Sequence, residues 1–171
     1  HIMANSDLLI ATTRHEQDAM TCIYQANPNT ITVIPCGVDT ALFRPLDVAS
    51  CKQKLGLQNK RAILFVGRIE PLKGLDLLLK AIAQIENRTQ LRLVIVGGRT
   101  ENQQDIKRLQ NLSETLGIAS IVQFKGAIPQ DQLPMYYNAA DVCILPSYYE
   151  SFGLVALEAQ ACATPIIASR V

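Results

Sequence analysis

The stretch AILFVGRIEPLKGLDLLLKAIAQI, residues 62–85, decides the fold. Residues 62–66 form an unbroken apolar run and read as a strand buried on both faces, because a half-exposed strand would alternate polar and apolar positions. The turn-rich GRIEPLK comes next at 67–73, and an amphipathic helix is predicted over 74–85. The same unit recurs downstream: strand 91–96, helix 103–116 stopped by Gly117, strand 121–124, helix 130–138, strand 142–145, a further helix, and strand 165–168. Five strand signals joined by helices predict a doubly wound, Rossmann-like parallel α/β sheet with right-handed crossovers.

Upstream the pattern changes. Residues 7–12 read as a short buried strand, and Thr13 with Glu16 forms a capping box for a helix to about Gln25. Asn27, Pro28 and Asn29 break the chain, 31–34 is a β-branched strand, and 35–45 (PCGVDTALFRP) is irregular. A domain boundary is expected there, separating 1–45 from 46–171. Asp47 is placed to cap a short helix closed by Gly56. The leading His1, Ile2 and Met3 read in part as a cloning remnant.

Sixteen basic and fifteen acidic residues leave a net charge of +1, so no global field draws nucleic acid or an anionic membrane, and an anionic ligand must be held locally. The five cysteines are odd in number, widely spaced and without a CxxC, which predicts reduced, mostly buried thiols and a cytoplasmic protein. No apolar run is long enough for a transmembrane segment, and no signal-peptide pattern is present. There is no HExxH, DxD or His/Cys cluster, so no bound metal is expected; GxGxxG, a Walker lysine and GxSxG are missing as well.

Ligands of such sheets bind beyond the carboxyl ends of the strands, where the strand order reverses. In the common order the strand at 62–66 neighbours that at 142–145, so the loop 67–73, with Arg68 and Lys73, meets the loop 146–152, with Glu150. The second loop opens PSYYESFGLVALEAQACATP, residues 146–165, in which Gly153 is expected in the first helical turn and Leu154, Leu157 and Ala161 on the core face. Glu150 and Glu158 bracket that helix start, and at about 1.5 Å per residue their separation is on the order of 12 Å. Two cations and a helix N-terminus suit a diphosphate, while Glu158 suits ribose hydroxyls and Glu150 those of a sugar. Gly97 and Gly98 admit either a close ligand approach or a plain turn. Tyr136, Tyr137, Tyr148 and Tyr149 read as packing and rim residues.

The motifs IPCGVDTALFRP, FVGRIEPLKGLDLLLKA, LVIVGG, LGIASIVQFKGAIP, YYNAADVCILPS and ESFGLVALEAQACATP run through nearly the whole chain. Their order and spacing resemble the retaining GT-B glycosyltransferases of family four, near the glycogen-synthase, sucrose-phosphate-synthase and mycothiol glycosyltransferase relatives. The resemblance implies a donor diphosphate on Arg68 and Lys73, sugar hydroxyls on Glu150 and the ribose on Glu158. It also implies donor contacts at Gly67, Ser151, Phe152, Gly153, Leu154 and Val155, and the base beside Ala127 and Ile128. Cys36 stands for a commoner Asn, and Ala163 for a commoner Gly at a turn that favours positive φ.

The resemblance further implies the donor-binding portion of a hexosyltransferase that moves a sugar, expected from UDP-sugar, to a hydroxyl acceptor. It implies no cofactor or metal, no nucleic-acid partner, and peripheral membrane contact as an open feature of the parent enzyme. Residues 1–45 would be the tail of the acceptor-side domain, and 46–171 a donor domain incomplete at its C-terminus, so that this polypeptide alone would be inactive. The alternatives are a non-catalytic nucleotide-sugar-binding module and, more remotely, a GT-B sugar-nucleotide epimerase.

Overall fold

The computed structural model describes residues 3–98 and 103–171; His1 and Ile2 of the expected remnant lie outside them. The chain forms two compact units, the first comprising the described residues up to Gly37 together with Glu150–Leu154, the second Val38–Tyr149 with Val155–Val171.

In the first unit β1 (Leu9–Ala11) and β2 (Ile31–Val33) pair in parallel, Leu9 opposite Ile31, and are joined through α1 (Arg14–Cys22). Ala11, Ala26 and Ile31 form its buried cluster. The helix stops before the expected Gln25, which sits in the left-handed region at φ 55° and so cannot extend the helix. The cap is built as expected at Thr13, whose hydroxyl accepts from the Glu16 amide at 3.1 Å. The reciprocal arm closes one residue earlier: Glu16 Oε2 accepts from the Thr12 amide at 2.6 Å and from the Thr12 hydroxyl at 2.7 Å.

Those bonds hold the Glu16 carboxyl below its ordinary range, the Thr12 amide contributing most. A carboxylate depressed in the folded state adds stability above its unfolded pKa and loses it as pH falls through the folded value. Glu16→Gln should therefore lower the thermal midpoint at neutral pH, with the gap from wild type closing in acid; a gap independent of pH would contradict this.

The second unit contains α2 (Val48–Leu55), β3 (Arg61–Val66), α3 (Leu75–Ala83), β4 (Leu91–Val96), α4 (Gln103–Thr115), β5 (Val122–Gly126), α5 (Leu133–Ala139), β6 (Val142–Leu145), α6 (Leu154–Ala161, its first residue grouped with the first unit) and β7 (Ile166–Ala168). Its strands are all parallel in the order β5-β4-β3-β6-β7, a Rossmann-like α/β sheet. The order reverses at β3, whose neighbours are β4 and β6, as the sequence predicts.

The apolar run of β3 feeds two cores. Ala62 and Leu64 join one with Val94, Tyr137, Cys143 and Ala159, while Ile63 and Phe65 join the other with Leu79, Leu93 and Ile95. Asp47 caps α2 through the Ser50 amide at 2.7 Å, and Gly56 closes it at φ 67°. The helix expected over 130–138 divides into a 3-10 turn at Gln130–Gln132 and α5. Helix α6 also departs from expectation. Gly153, at φ 83°, precedes it instead of occupying its first turn. Ala161 packs against the core as expected, beside the fully buried Ala159 and Cys162 just beyond, whereas Leu154 is 45% exposed. Small residues on that side let the helix lie close to the sheet.

Candidate functional site

At the carboxyl edge of the second unit's sheet, backbone meets backbone. The Gly67 amide donates to Val96 O at 3.0 Å and the Gly97 amide to Gly126 O at 2.7 Å. Gly97 has φ 133°, and a Cβ there would stand 1.8 Å from Gly67 O, so this position requires glycine. Gly97 thus lets two backbone segments approach each other, and both Gly97 and Gly98 line a cavity.

The loop after β3 turns through a 3-10 segment at Pro71–Lys73 into Gly74, at φ 65°. A Cβ on Gly74 would lie 2.0 Å from Pro146 O, and the Tyr148 amide donates to Leu72 O at 2.8 Å. The loops after β3 and β6 are thus joined, as the strand order requires. Gly74 escaped the sequence reading as a site-forming residue, although a glycine between a turn and a helix is a signal for a left-handed residue.

A cavity of about 560 Å³ opens between the ends of β3 and β4 and the loop after β5. Val66, Val96, Ile128 and Leu133 give it apolar walls, Gly67, Gly97 and Gly98 give it backbone surface, and Arg68 and Glu70 are its charged lining. It lies toward β4 and β5, displaced from the β3/β6 reversal where the sequence pattern places the site. Arg68 Nη2 and Glu70 Oε1 are 3.0 Å apart, with the Arg68 side chain 77% exposed. Such an exposed pair is worth about 0–1 kcal/mol, little enough for an arriving anion to exchange partners with it.

The expected site residues are divided between several places. Gly67, Arg68, Ala127 and Ile128 line this cavity, while Lys73 ends the 3-10 turn, partly buried, outside its lining. Glu150, Ser151, Phe152, Gly153 and Leu154 belong to the first compact unit; Val155 and Glu158, on α6, belong to the second. Glu70, Val96 and Leu133 were not foreseen: a carboxylate beside an anion-binding arginine and two further apolar residues carry no motif of their own.

Glu158 is partly buried and held by a neighbour on α5. The Tyr137 hydroxyl donates to Glu158 Oε2 at 2.6 Å. Tyr137 is fully buried, with Phe43 packed edge-on against it at 6.0 Å between ring centres. Burial pushes the Glu158 carboxyl up, and the Tyr137 hydrogen bond opposes that shift. Burial and the adjacent carboxylate both push the Tyr137 hydroxyl far up, so it remains a proton donor. Tyr136 and Tyr137 pack in the core, whereas Tyr148 and Tyr149 are exposed, matching the packing-and-rim reading.

Residues 48–171 match the family described as Glycosyl transferases group 1. A D-inositol 3-phosphate glycosyltransferase of Acidothermus cellulolyticus is 44% identical over 99% of this chain, which spans 40% of that protein. Its counterpart in Segniliparus rotundus is 42% identical over 99% of the chain and 38% of its own length. The chain thus spans about two fifths of the curated relatives it matches. Among solved structures, sucrose-phosphate synthase from Thermosynechococcus elongatus superposes with a TM-score of 0.86 at 38% identity, covering 99% of this chain and 42% of that one. Anabaena HepE, solved in complex with UDP and glucose, gives 0.86 at 28% identity, with coverage of 95% and 44%.

Proposed function

Because the chain belongs to the group 1 glycosyltransferases, with their GT-B architecture, we propose that it is the donor-binding portion of a retaining hexosyltransferase using a UDP-sugar. The observation that carries this reading is the cavity at the carboxyl edge of the sheet, with apolar walls for a base, bare glycine backbone and the exchangeable Arg68 guanidinium. The UDP complex of HepE, at 28% identity, supports uridine as the base. We take 46–171 as the donor domain and 1–45 as the tail of an acceptor-side domain.

Arg68 and Lys73 are assigned to the diphosphate, where negative charge grows as the sugar departs; fixed cations stabilise that leaving group, the role we give them in place of a metal. Glu150 orients the sugar by accepting from its hydroxyls and is given no nucleophilic task, the departing phosphate itself assisting deprotonation of the acceptor. Glu158 accepts from the ribose. Gly67 and Ile128, with Ser151, Phe152, Gly153, Leu154 and Val155, complete the donor contacts. Free thiols at all five cysteines favour a reducing compartment such as the cytoplasm, and no helix among the described residues is long and apolar enough to cross a membrane.

Calorimetric titration with UDP tests the reading. Removing a charge-assisted phosphate contact costs about 1.5–3 kcal/mol, so Arg68→Ala should weaken UDP binding about 10- to 100-fold while leaving the weaker uridine affinity alone. Binding of UDP that Arg68→Ala leaves intact would remove Arg68 from the site, and no binding at all would refute the donor assignment. Sugar transfer is expected only when the acceptor-side domain is supplied.

A further inference from the structure

We propose that Tyr137 is a positioning residue for Glu158, fixing its carboxylate so that the second oxygen takes the hydroxyls of the donor's ribose. This rests on the donor-site reading above and adds a residue to it. The hydroxyl reaches Glu158 Oε2 at 2.6 Å, and the ring that carries it has no freedom to swing: it is fully buried, backed by Phe43, and its own backbone carbonyl accepts from the Thr164 hydroxyl at 2.8 Å. One carboxylate oxygen is therefore pinned by a rigid donor. Among the described residues no side chain or backbone group donates to the other, Oε1. A carboxylate accepts through both oxygens, so pinning one leaves the other oriented, with lone pairs available for a vicinal diol.

Ionisation matters to this role, because a protonated carboxyl would offer a donor where two hydroxyls need acceptors. Burial raises the Glu158 pKa and Tyr137 opposes that rise, so the same hydrogen bond that sets the geometry also favours the charged form. The other titratable groups acting on Glu158 are Cys143 of β6 and Cys162 beyond α6. Burial pushes their thiols up to about 12 and about 11, which leaves both neutral across the working range. The pH response of Glu158 is consequently its own.

The test compares UDP with its 2′,3′-dideoxy analogue by calorimetry, on this chain and its Tyr137→Phe variant, from mildly acid to mildly basic pH. Both ligands carry the same phosphates, so the ratio of their affinities cancels phosphate titration and Arg68 and isolates the ribose contact. Wild type should prefer UDP and lose that preference as acid protonates Glu158. Tyr137→Phe should cut the preference about tenfold and move its loss to higher pH, with affinity for the dideoxy analogue unchanged. In a Glu158→Gln background the same substitution should have no further effect on the ratio.

A ribose preference that Tyr137→Phe leaves intact, or equal losses for both ligands, overturns the positioning role and leaves the donor site standing. Wild-type binding of UDP with no ribose preference overturns the assignment of Glu158, and this proposal with it. Failure of wild type to bind either ligand overturns the donor-site reading as a whole.

Discussion

Replacing Gly97 with alanine is expected to lower the thermal midpoint by roughly 4–24 °C, at the upper end to the edge of folding. Two costs combine. At φ 133° the backbone lies where L side chains rarely go, a strain of about 1–3 kcal/mol. The new methyl would also stand 1.8 Å from Gly67 O, and because that atom is backbone within a hydrogen-bonded strand end it cannot step aside; overpacking of this kind adds about 1–3 kcal/mol. At about 2–4 °C per kcal/mol for a chain of this size, the sum gives the stated shift. Gly117→Ala is the control, since Gly117 has φ 67° but nothing within 4 Å of an added Cβ. It should lose only about 1 kcal/mol. Melts followed by circular dichroism decide the matter, and equal losses at the two positions would show that the contact with Gly67 has no steric consequence.

Asn138→Ala is expected to be comparably damaging by a different route. The side chain is 5% exposed and has all its main capacity in use: Oδ1 accepts from the Leu46 amide at 2.8 Å, and Nδ2 donates to Arg44 O at 3.0 Å and Pro134 O at 2.8 Å. Alanine leaves three backbone groups without this partner in a cramped site, at about 1–3 kcal/mol for each that water cannot reach. A total loss of about 3–5 kcal/mol is expected, read as a lower denaturation midpoint at unchanged slope. Hydrogen exchange adds a local signature, because the Leu46 amide should lose protection beyond the global change. Should Leu46 exchange at the wild-type rate under native conditions, the anchoring role is wrong. Asn138→Asp should also destabilise the chain, since a carboxylate oxygen would then face two carbonyls.

The sheet was legible because its signals are local and repeated. The run from Ala62 to Val66 needs burial on both faces, and helices bring their own stops at Gly56 and Gly117, so strand count, parallel sense and the position of the reversal all emerge from short-range pattern. Helix ends were less legible where a non-glycine takes a positive φ, as at Gln25, since nothing in that residue type announces it. The core face of α6 was legible only in part. Ala161 packs against the core as expected. Ala159 and Cys162 carry a weaker apolar signal than the exposed Leu154, yet close packing on the sheet selects small side chains.

The candidate site was legible in its charged and glycine positions and much less so in its geometry. Arg68 and Gly67 announce themselves by coming directly after a buried strand. Glu70 and Tyr137 do not, because their parts depend on neighbours 2 and 21 residues away that only the folded chain brings within 3.0 and 2.6 Å. Ala163 shows the converse: its φ of 59° places the turn before β7 in the left-handed conformation for which a glycine would be the easier residue.

The link between Leu72 O and the Tyr148 amide is made by main chain alone. Any residue except proline at 148 can supply that donor, and any residue at 72 that acceptor. The span between the two loops is therefore indifferent to the side chains carried at 72 and 148. Such a frame tolerates side-chain substitution at both of its ends without loss of the bridge between the two loops.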